Sequence, residues 1–494
     1  MAAIITEPLK RQMLDHLHDE ITTGFKPRGG AWASAGYTDS SNTVKYYIGI
    51  GKASQWNDAD AVLPVENSLK DERDLRFSLQ SIKATSDASY VIPRYNWTSG
   101  TTYSGYDDDQ SGIGSNSFYV ITEDNAIFIC LRQGKSATGS ANTSTEKPHS
   151  VGNPKPFKTS DGYVWKYLYT VSATRASKYL SANYMPVALF DSDNMGSDVY
   201  AREQVRFRND YTQSGRISDI VVTNGGTGYT SVPTVTIDGD GTGAAATAVV
   251  SGNSIVKIEL DSSADSCISM GYGYKRVGIT ITGGSGTGGA ARAVLDRDSG
   301  IGADPIKDLK STSLMINSKP AGAEGDDFII DQNFRQVALI RNPHYDSAAE
   351  AALYSGTTGG VNRYLSLSEV SAIGDMTAQS LKDKLITGVT SGAKAWVDWF
   401  DSDASRILGG PESDGRGGAR IYFHQNDSSG FKSFTSGENI TAPGWPSAGT
   451  VGLWATDSQN DIKLTSGEIL YIENRAAINR ATSQTEDIKI VITL

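Results

Sequence analysis

Five histidines, His16, His18, His149, His344 and His424, are the side chains of this chain best suited to bind a metal or move a proton near neutral pH. Only His16 and His18 are close, and residues two apart on a helix do not face one another. Neither a metalloprotease spacing nor a cysteine–histidine cluster occurs. The sequence therefore predicts no metal and no cofactor. Gly284-Ser285-Gly286-Thr287-Gly288-Gly289 fits the dinucleotide pattern Gly-x-Gly-x-x-Gly. That chemistry needs a strand before the glycines, a long helix after them and an acid about 20 residues on. Here Ala290–Leu295 is short and reads as a strand, so a hairpin turn is expected. Asp107-Asp108-Asp109, Asp191-Ser192-Asp193 and Asp401-Ser402-Asp403 lack the glycine and terminal Glu of a calcium loop and read as solvated acidic loops. Glu468, Glu473 and Asp161 could serve a glycosidase only as a pair facing across about 5–10 Å. Nothing in the sequence selects such a pair, and no Gly-x-Ser-x-Gly elbow is present. The chain is expected not to be an enzyme.

Aromatic residues offer a different chemistry. Strict alternation puts Tyr163, Trp165, Tyr167 and Tyr169 on one strand face, with Val164, Lys166 and Leu168 on the other. That face is either a cross-strand aromatic ladder in a core or a partner surface rich in interface anchors. Trp396 and Trp399 fall on opposite faces by the same rule, which exposes one of them, and glycan stacking is one use for it.

Composition limits the rest. Of 494 residues 38% are hydrophobic, enough for sizeable cores and roughly three domains by length. Gly (52) and Tyr (23) with many Thr and Ser in short apolar runs indicate an all-β chain with many turns. A net charge of −11 argues against nucleic-acid binding, which needs clustered Lys and Arg. Two distant cysteines, Cys130 and Cys267, exclude a disulfide framework. The Met1–Ile5 start, followed by Glu7, Pro8 and Lys10, does not read as a signal peptide. No apolar run reaches the ~20 residues of a membrane span. A soluble protein made in the cytosol, with no direct membrane insertion, is expected.

The elements follow. Thr6 caps a helix whose stripe is Leu9, Met13, Leu14, Leu17 and Ile21, and Gly24 closes it. Strands are expected at Val44–Ile50, Phe118–Val120, Ala126–Leu131 and Tyr163–Val171. From Ile217 short strands alternate with glycine turns, and the pattern recurs 45 residues on: Gly228-Tyr229 as Gly273-Tyr274, and Gly241-Thr242-Gly243-Ala244 as Gly286-Thr287-Gly288-Gly289. This reads as a duplicated small β-unit whose copies pack together. A short helix Ala378–Leu385 and strands Ala393–Phe400 and Ala419–Phe423 follow. The expected architecture is mainly β. A discontinuous β-rich core (1–212, 306–346 and 464–494) with an N-terminal helix carries two inserted small β-rich domains (213–305 and 347–463).

One stretch carries more than alternation. Gly467-Glu468-Ile469-Leu470-Tyr471-Ile472-Glu473-Asn474-Arg475, with Ile469, Tyr471 and Glu473 alternating against Leu470 and Ile472, is followed by Gln484-Thr485-Glu486 and the strand Ile488–Ile492. Four islands precede it: Tyr46–Lys52 with Trp56-Asn57; Val91-Ile92-Pro93-Arg94 with Trp97; Asp161-Gly162-Tyr163-Val164-Trp165-Lys166-Tyr167-Leu168; and Phe334-Arg335-Gln336-Val337 with Asn342-Pro343. In this order they resemble the baseplate wedge subunit encoded by gene eight of T-even-type contractile-tailed phages. The resemblance implies a structural role in a virion tail baseplate. It also implies a homodimer, contacts with other wedge subunits and with fibre-attachment proteins, and rigid-body displacement on contraction. It does not reach residues ~213–305 and ~347–463. Those inserts leave a second reading, a virion adhesin or glycan-binding tail protein.

Overall fold

The computed structural model describes residues 5–24, 44–52, 61–62, 64–66, 68–149, 155–189, 214–260, 269–297, 299–320, 333–346, 352–361, 363–367, 383–401, 420–443, 451–455, 461–479 and 485–494. The chain is mainly β, 46% strand against 11% helical, in several antiparallel sheets with one N-terminal helix. Two compact units form, one from Met1–Leu14, Ser89–Met315 and Val491–Leu494, the other from Asp15–Ala88 and Ile316–Ile490. The segment 1–212, read from sequence as one part of a core, contributes to both.

The N-terminal helix spans Glu7–Thr23. Its buried face is not the expected stripe: Leu14 (1%) and Ile21 (4%) are buried, while Leu9 (49%) and Met13 (54%) are exposed. Polar anchors set the rotation. Lys10 Nζ donates to the Leu494 carbonyl at 3.1 Å. Glu20 accepts from the Tyr46 hydroxyl at 2.5 Å and from Arg341 Nη2 at 2.9 Å. Lys10, Leu14, Leu17 and Ile21 follow the helical repeat, and Leu9 and Met13 lie one step off it.

In the first unit a four-stranded sheet runs in the order Tyr119–Ile121, Ala126–Arg132, Val164–Thr170, Phe157–Lys158. Phe128 stands opposite Tyr167 and Ile127 opposite Tyr169, so Leu168 is an extra, bulged residue. The bulge moves Tyr169 to the other face, correcting the four-aromatic stripe. Tyr163, Trp165 and Tyr167 join Tyr103, Phe128 and Cys130 in one cluster. Tyr163 stacks on Trp165 at 5.7 Å, and Tyr103 meets Trp165 edge-on at 5.6 Å. Residues 164–169 are all buried, so this strand is core on both faces. The Tyr169 hydroxyl donates to the Pro186 carbonyl at 2.9 Å.

Buried Lys166 extends from the opposite face to donate to the Ile301 carbonyl. Nearby, Asp308 accepts from the Gly302 amide at 2.7 Å. Burial pushes the Asp308 carboxyl up to about 7 against the Gly302 hydrogen bond, and Asp296 up to about 6 against the Lys166 charge. An acid whose folded pKa is raised holds its proton more tightly in the folded chain. The stability it contributes is present below the ordinary aspartate value of 3.8 and is lost as pH rises through about 7. The melting temperature of the first unit is therefore expected to fall between pH 5 and pH 8, and to fall less in Asp308→Asn. Equal slopes in the two proteins would contradict this.

The glycine-rich segment is an intertwined duplication. Each copy's last strand pairs with the other's first: Ala246–Ser251 with Ser254–Leu260, and Thr287–Leu295 with Ile217–Thr227. The registers match position for position. Ala248 faces Ile258 as Ala293 faces Ile220, and both pairs bulge at the equivalent step, Val249/Val250 and Val294/Leu295. Thr234–Gly239 pairs with its own counterpart Val277–Thr282, Thr234 opposite Thr282 and Ile237 opposite Ile279, as a two-fold axis requires. The Gly284–Gly289 motif is a tight turn, with Gly284 at φ 72 and Ser285 at φ 65. It is not the turn of a hairpin, because the strands on either side pair with different partners.

The second unit holds a five-stranded sheet in the order Thr358–Gly360, Leu79–Thr85, Tyr46–Gly51, Asn333–Arg341, Glu468–Asn479. The helix Leu69–Ser78 enters it through a capping box made by Ser68 and Asp71. Six further strands, Arg363–Leu367, Arg420–His424, Lys394–Asp401, Leu385–Gly388, Asn439–Thr441 and Val451–Ala455, pair in that order, and the last pairs back to the first. They enclose Leu365, Ile386, Val397, Ile421, Phe423 and Ile440. Residues 378–382 of the expected helix lie outside the described residues, and Leu385 opens a strand instead of ending a helix. Asp398 is bulged: Val397 stands opposite Phe423 and Trp399 opposite Tyr422. The backbone register thus puts positions 396 and 399 on one side of the strand, where strict alternation had separated them.

Candidate functional site

Three of the five islands meet in the second unit. Tyr46–Gly51, Asn333–Arg341 and Glu468–Asn479 are consecutive strands of one sheet. At its end the chain makes a corner. Asn342 takes a left-handed φ of 52, and its amide and side-chain oxygen bond the Lys45 carbonyl and amide, both at 2.8 Å. Pro343 follows, and its carbonyl accepts from the Tyr354 amide at 2.7 Å. Gly467, at φ 72, lies against them: a Cβ there would stand 2.9 Å from the Arg341 carbonyl oxygen and 3.1 Å from Pro343 Cα. The Arg76 guanidinium binds the corner by donating to the carbonyls of Leu464 (3.1 Å), Ser466 (2.7 Å) and Gly467 (2.9 Å).

Past the corner, Glu468 accepts from Arg341 Nη1 at 2.8 Å. Leu339 faces Tyr471 while Ile340 faces Ile469, which makes Leu470 a bulge, 47% exposed. Ile469 and Ile472 therefore both pack on the core, and Glu468, Tyr471 and Glu473 share the other face, unlike the expected alternation. The Tyr471 hydroxyl donates to Glu473 at 2.9 Å, and burial with that carboxylate pushes the phenol up to about 12. Gln336 links Ser78 (2.6 Å) to Asn474 (3.0 Å). Phe334 and Arg335 are 1% exposed. Arg475 lies in the irregular stretch where Phe334 faces Ile478 and Gln336 faces Asn474. The Glu486 amide donates to the Pro320 carbonyl at 3.1 Å. Gln484 and Trp56-Asn57 lie outside the described residues.

The remaining islands belong to the first unit. The Pro93 carbonyl accepts from the Tyr119 hydroxyl at 3.0 Å, and Arg94 donates to the Ser181 carbonyl at 2.9 Å. Trp97 packs on the aromatic cluster and donates to Ser144 Oγ at 3.1 Å. Gly162 turns at φ 89. The Tyr163 hydroxyl donates to the Asn142 carbonyl at 2.7 Å.

The carboxylates weighed for chemistry are spent on structure. Asp161 accepts from the amides of Thr145 (2.8 Å) and Glu146 (3.1 Å) and from Thr159 Oγ1. Its pKa is lowered: burial alone raises it, and these donors outweigh burial. Asp107 takes Arg292 Nη2 on both oxygens, at 2.6 and 2.5 Å, and Asp108 takes Nη1 at 3.1 Å. That acidic run is thus tied to the duplicated unit through Asp107 and Asp108, while Asp108 and Asp109 stay exposed. Asp191, Asp193 and Asp403 lie outside the described residues.

Among the described residues no group of three or more His, Cys, Asp or Glu is placed to hold a metal ion. His16 reaches Glu20 at 3.3 Å and His149 reaches Glu146 at 3.7 Å, both from the surface. Cys130 is fully buried, and burial pushes its thiol well up; Cys267 lies outside the described residues. No helix among the described residues is long and apolar enough to cross a membrane.

Sequence reasoning missed one constellation. His424 Nδ1 lies 2.8 Å from Asp398 Oδ1, and both side chains are buried, at 6% and 0% exposure. Antiparallel pairing of their strands and the bulge at Asp398 make the contact, and no spacing rule announces it. Among the described residues, His424 Nε2 and Asp398 Oδ2 have no hydrogen-bond partner. No protein-family model matches the chain, and no curated protein matches it.

Proposed function

We propose that the chain is a structural subunit of a contractile-tail baseplate wedge, working as a homodimer through protein–protein interfaces and located in the virion tail. One observation carries the reading. The residues that resemble the wedge family, scattered from Tyr46 to Arg475, hold a frame together: Asn342, Pro343, Gly467 and Glu468 build one corner, and Gln336 and Asn474 bridge adjacent strands. Motif residues used in this way preserve a shape for neighbours to dock on. A subunit of this kind contributes by moving as an intact body between bistable packings.

The test is electron cryo-microscopy of tails before and after contraction. The reading expects this chain at the wedge in both states, internally unchanged and displaced as a body. Density confined to fibre tips, or an identical position in both states, would overturn it.

A further inference from the structure

The five-stranded sheet of the second unit ends on Glu468–Asn479, a strand of 12 residues. The other strands at the edges of the four- and five-stranded sheets have between 2 and 6. An edge strand points half of its backbone N–H and C=O groups away from its sheet, and a long one is a template for a further strand. Among the described residues Glu468–Asn479 pairs with Asn333–Arg341 alone. Its cover is thin. Residues 334–340 of the inner strand are all buried, whereas none of 468–478 is. The edge is nonetheless apolar, with Ile469, Leu470, Ile472 and Ile478 on it. Two half-buried charges at its centre lack a counter-charge. Glu473 accepts from the Tyr471 hydroxyl at 2.9 Å, and neither it nor Arg475 forms an ion pair among the described residues. Half-buried charges are usually paired.

We propose that this strand pairs with the same strand of a second copy of the chain, antiparallel across a two-fold axis at Asn474, so that the two five-stranded sheets become one. The pairing rests on the two copies of the reading above, not on their place in a virion, and it names their contact surface. Charge selects the register. With the axis at Asn474, Glu473 stands opposite the partner's Arg475 and Arg475 opposite the partner's Glu473. In the same register Ile472 meets the partner's Ala476 and Leu470 the partner's Ile478. Opposite charges facing across antiparallel strands stabilise the pair, and like charges destabilise it. Moving the axis by one residue sets Glu473 against Glu473, or Arg475 against Arg475. A strand of an unrelated protein has no reason to carry this self-match, so the occupant is a second copy. Tyr471–Asn474 keep register with Leu339–Gln336, while residues 475–477 pass opposite Arg335 alone. Two of those three are in excess of the inner strand, yet the chain stays extended through Asn479. That half of the edge is free to follow an outer partner.

Sedimentation velocity of the full chain over a dilution series, with the two charges reversed one at a time, tests the pairing. Arg475→Glu sets like charges against each other at both contacts and should raise the dimer dissociation constant about tenfold. Glu473→Arg should do the same. An equimolar mixture of the two variants restores opposite charges at both contacts. It should form a mixed dimer within about threefold of the wild-type affinity, a recovery that misfolding cannot mimic. A dimer that ignores both reversals, or a mixture no tighter than either variant alone, would overturn the pairing and leave the wedge reading standing. A wild-type chain that stays monomeric throughout would overturn the pairing too. Recovery in the mixture would uphold it even if tail images placed the chain away from the wedge.

Discussion

Arg76→Ala should lower the unfolding free energy of the second unit by about 3 kcal/mol. The side chain supplies three donors to the carbonyls of Leu464, Ser466 and Gly467. A hydrogen bond to a charged group is worth about 1.5–3 kcal/mol, and the three do not add in full because water reaches a half-buried corner. Burial lowers the guanidinium's pKa, with Glu72 partly opposing, but arginine keeps its charge at any working pH. Arg76→Lys should recover less than half of the loss, since one ammonium cannot span three carbonyls held by a planar fork. Urea titration followed by two probes would separate the units, because a chain of two units need not unfold in one step. A loss below about 0.5 kcal/mol would mean the corner is held by its backbone bonds alone.

The second large effect concerns the duplication. A Cβ on Gly286 would stand 2.4–2.5 Å from three ring atoms of Tyr229, and one on Gly241 would stand 2.4–2.5 Å from Tyr274. Neither ring can simply swing away. Tyr229 is 3% and Tyr274 6% exposed, and their hydroxyls accept from the amides of Gly289 (3.2 Å) and Ala244 (3.4 Å). Gly286→Ala and Gly241→Ala are each expected to cost about 2–3 kcal/mol, the upper range for overpacking. The two should agree closely, because the two-fold register makes them the same site. Adding Tyr229→Ala to Gly286→Ala should cost less than the sum of the single changes, since the clash goes with the ring. Gly112→Ala, with nothing within 4 Å of its Cβ, is the control and should be near neutral. Unequal costs at Gly241 and Gly286 would contradict the symmetry.

These two cases show what the sequence could and could not announce. The duplication was legible because each copy repeats glycines at positions that need positive φ: Gly228 and Gly273, at φ 78 and 81, and Gly243 and Gly288, at φ 82 and 80. The β class was legible from composition. Side-chain facing was not, and bulges are the reason. Leu168, Leu470 and Asp398 each add one residue to a strand, and each shift exchanges the two faces beyond it. No residue type marks a bulge of this kind. The helix was legible, but its rotation was fixed by Lys10 and Glu20, whose partners are hundreds or tens of residues away. The Arg76 clamp and the His424–Asp398 contact escaped for the same reason: each is made by tertiary pairing, not by spacing.

The central claim is that these frame-building residues serve a two-fold wedge subunit. Light scattering on a sizing column tests it most directly. The account predicts a dimer of two 52.7 kDa chains, about 105 kDa. A stable trimer would contradict it and would point to a fibre or adhesin.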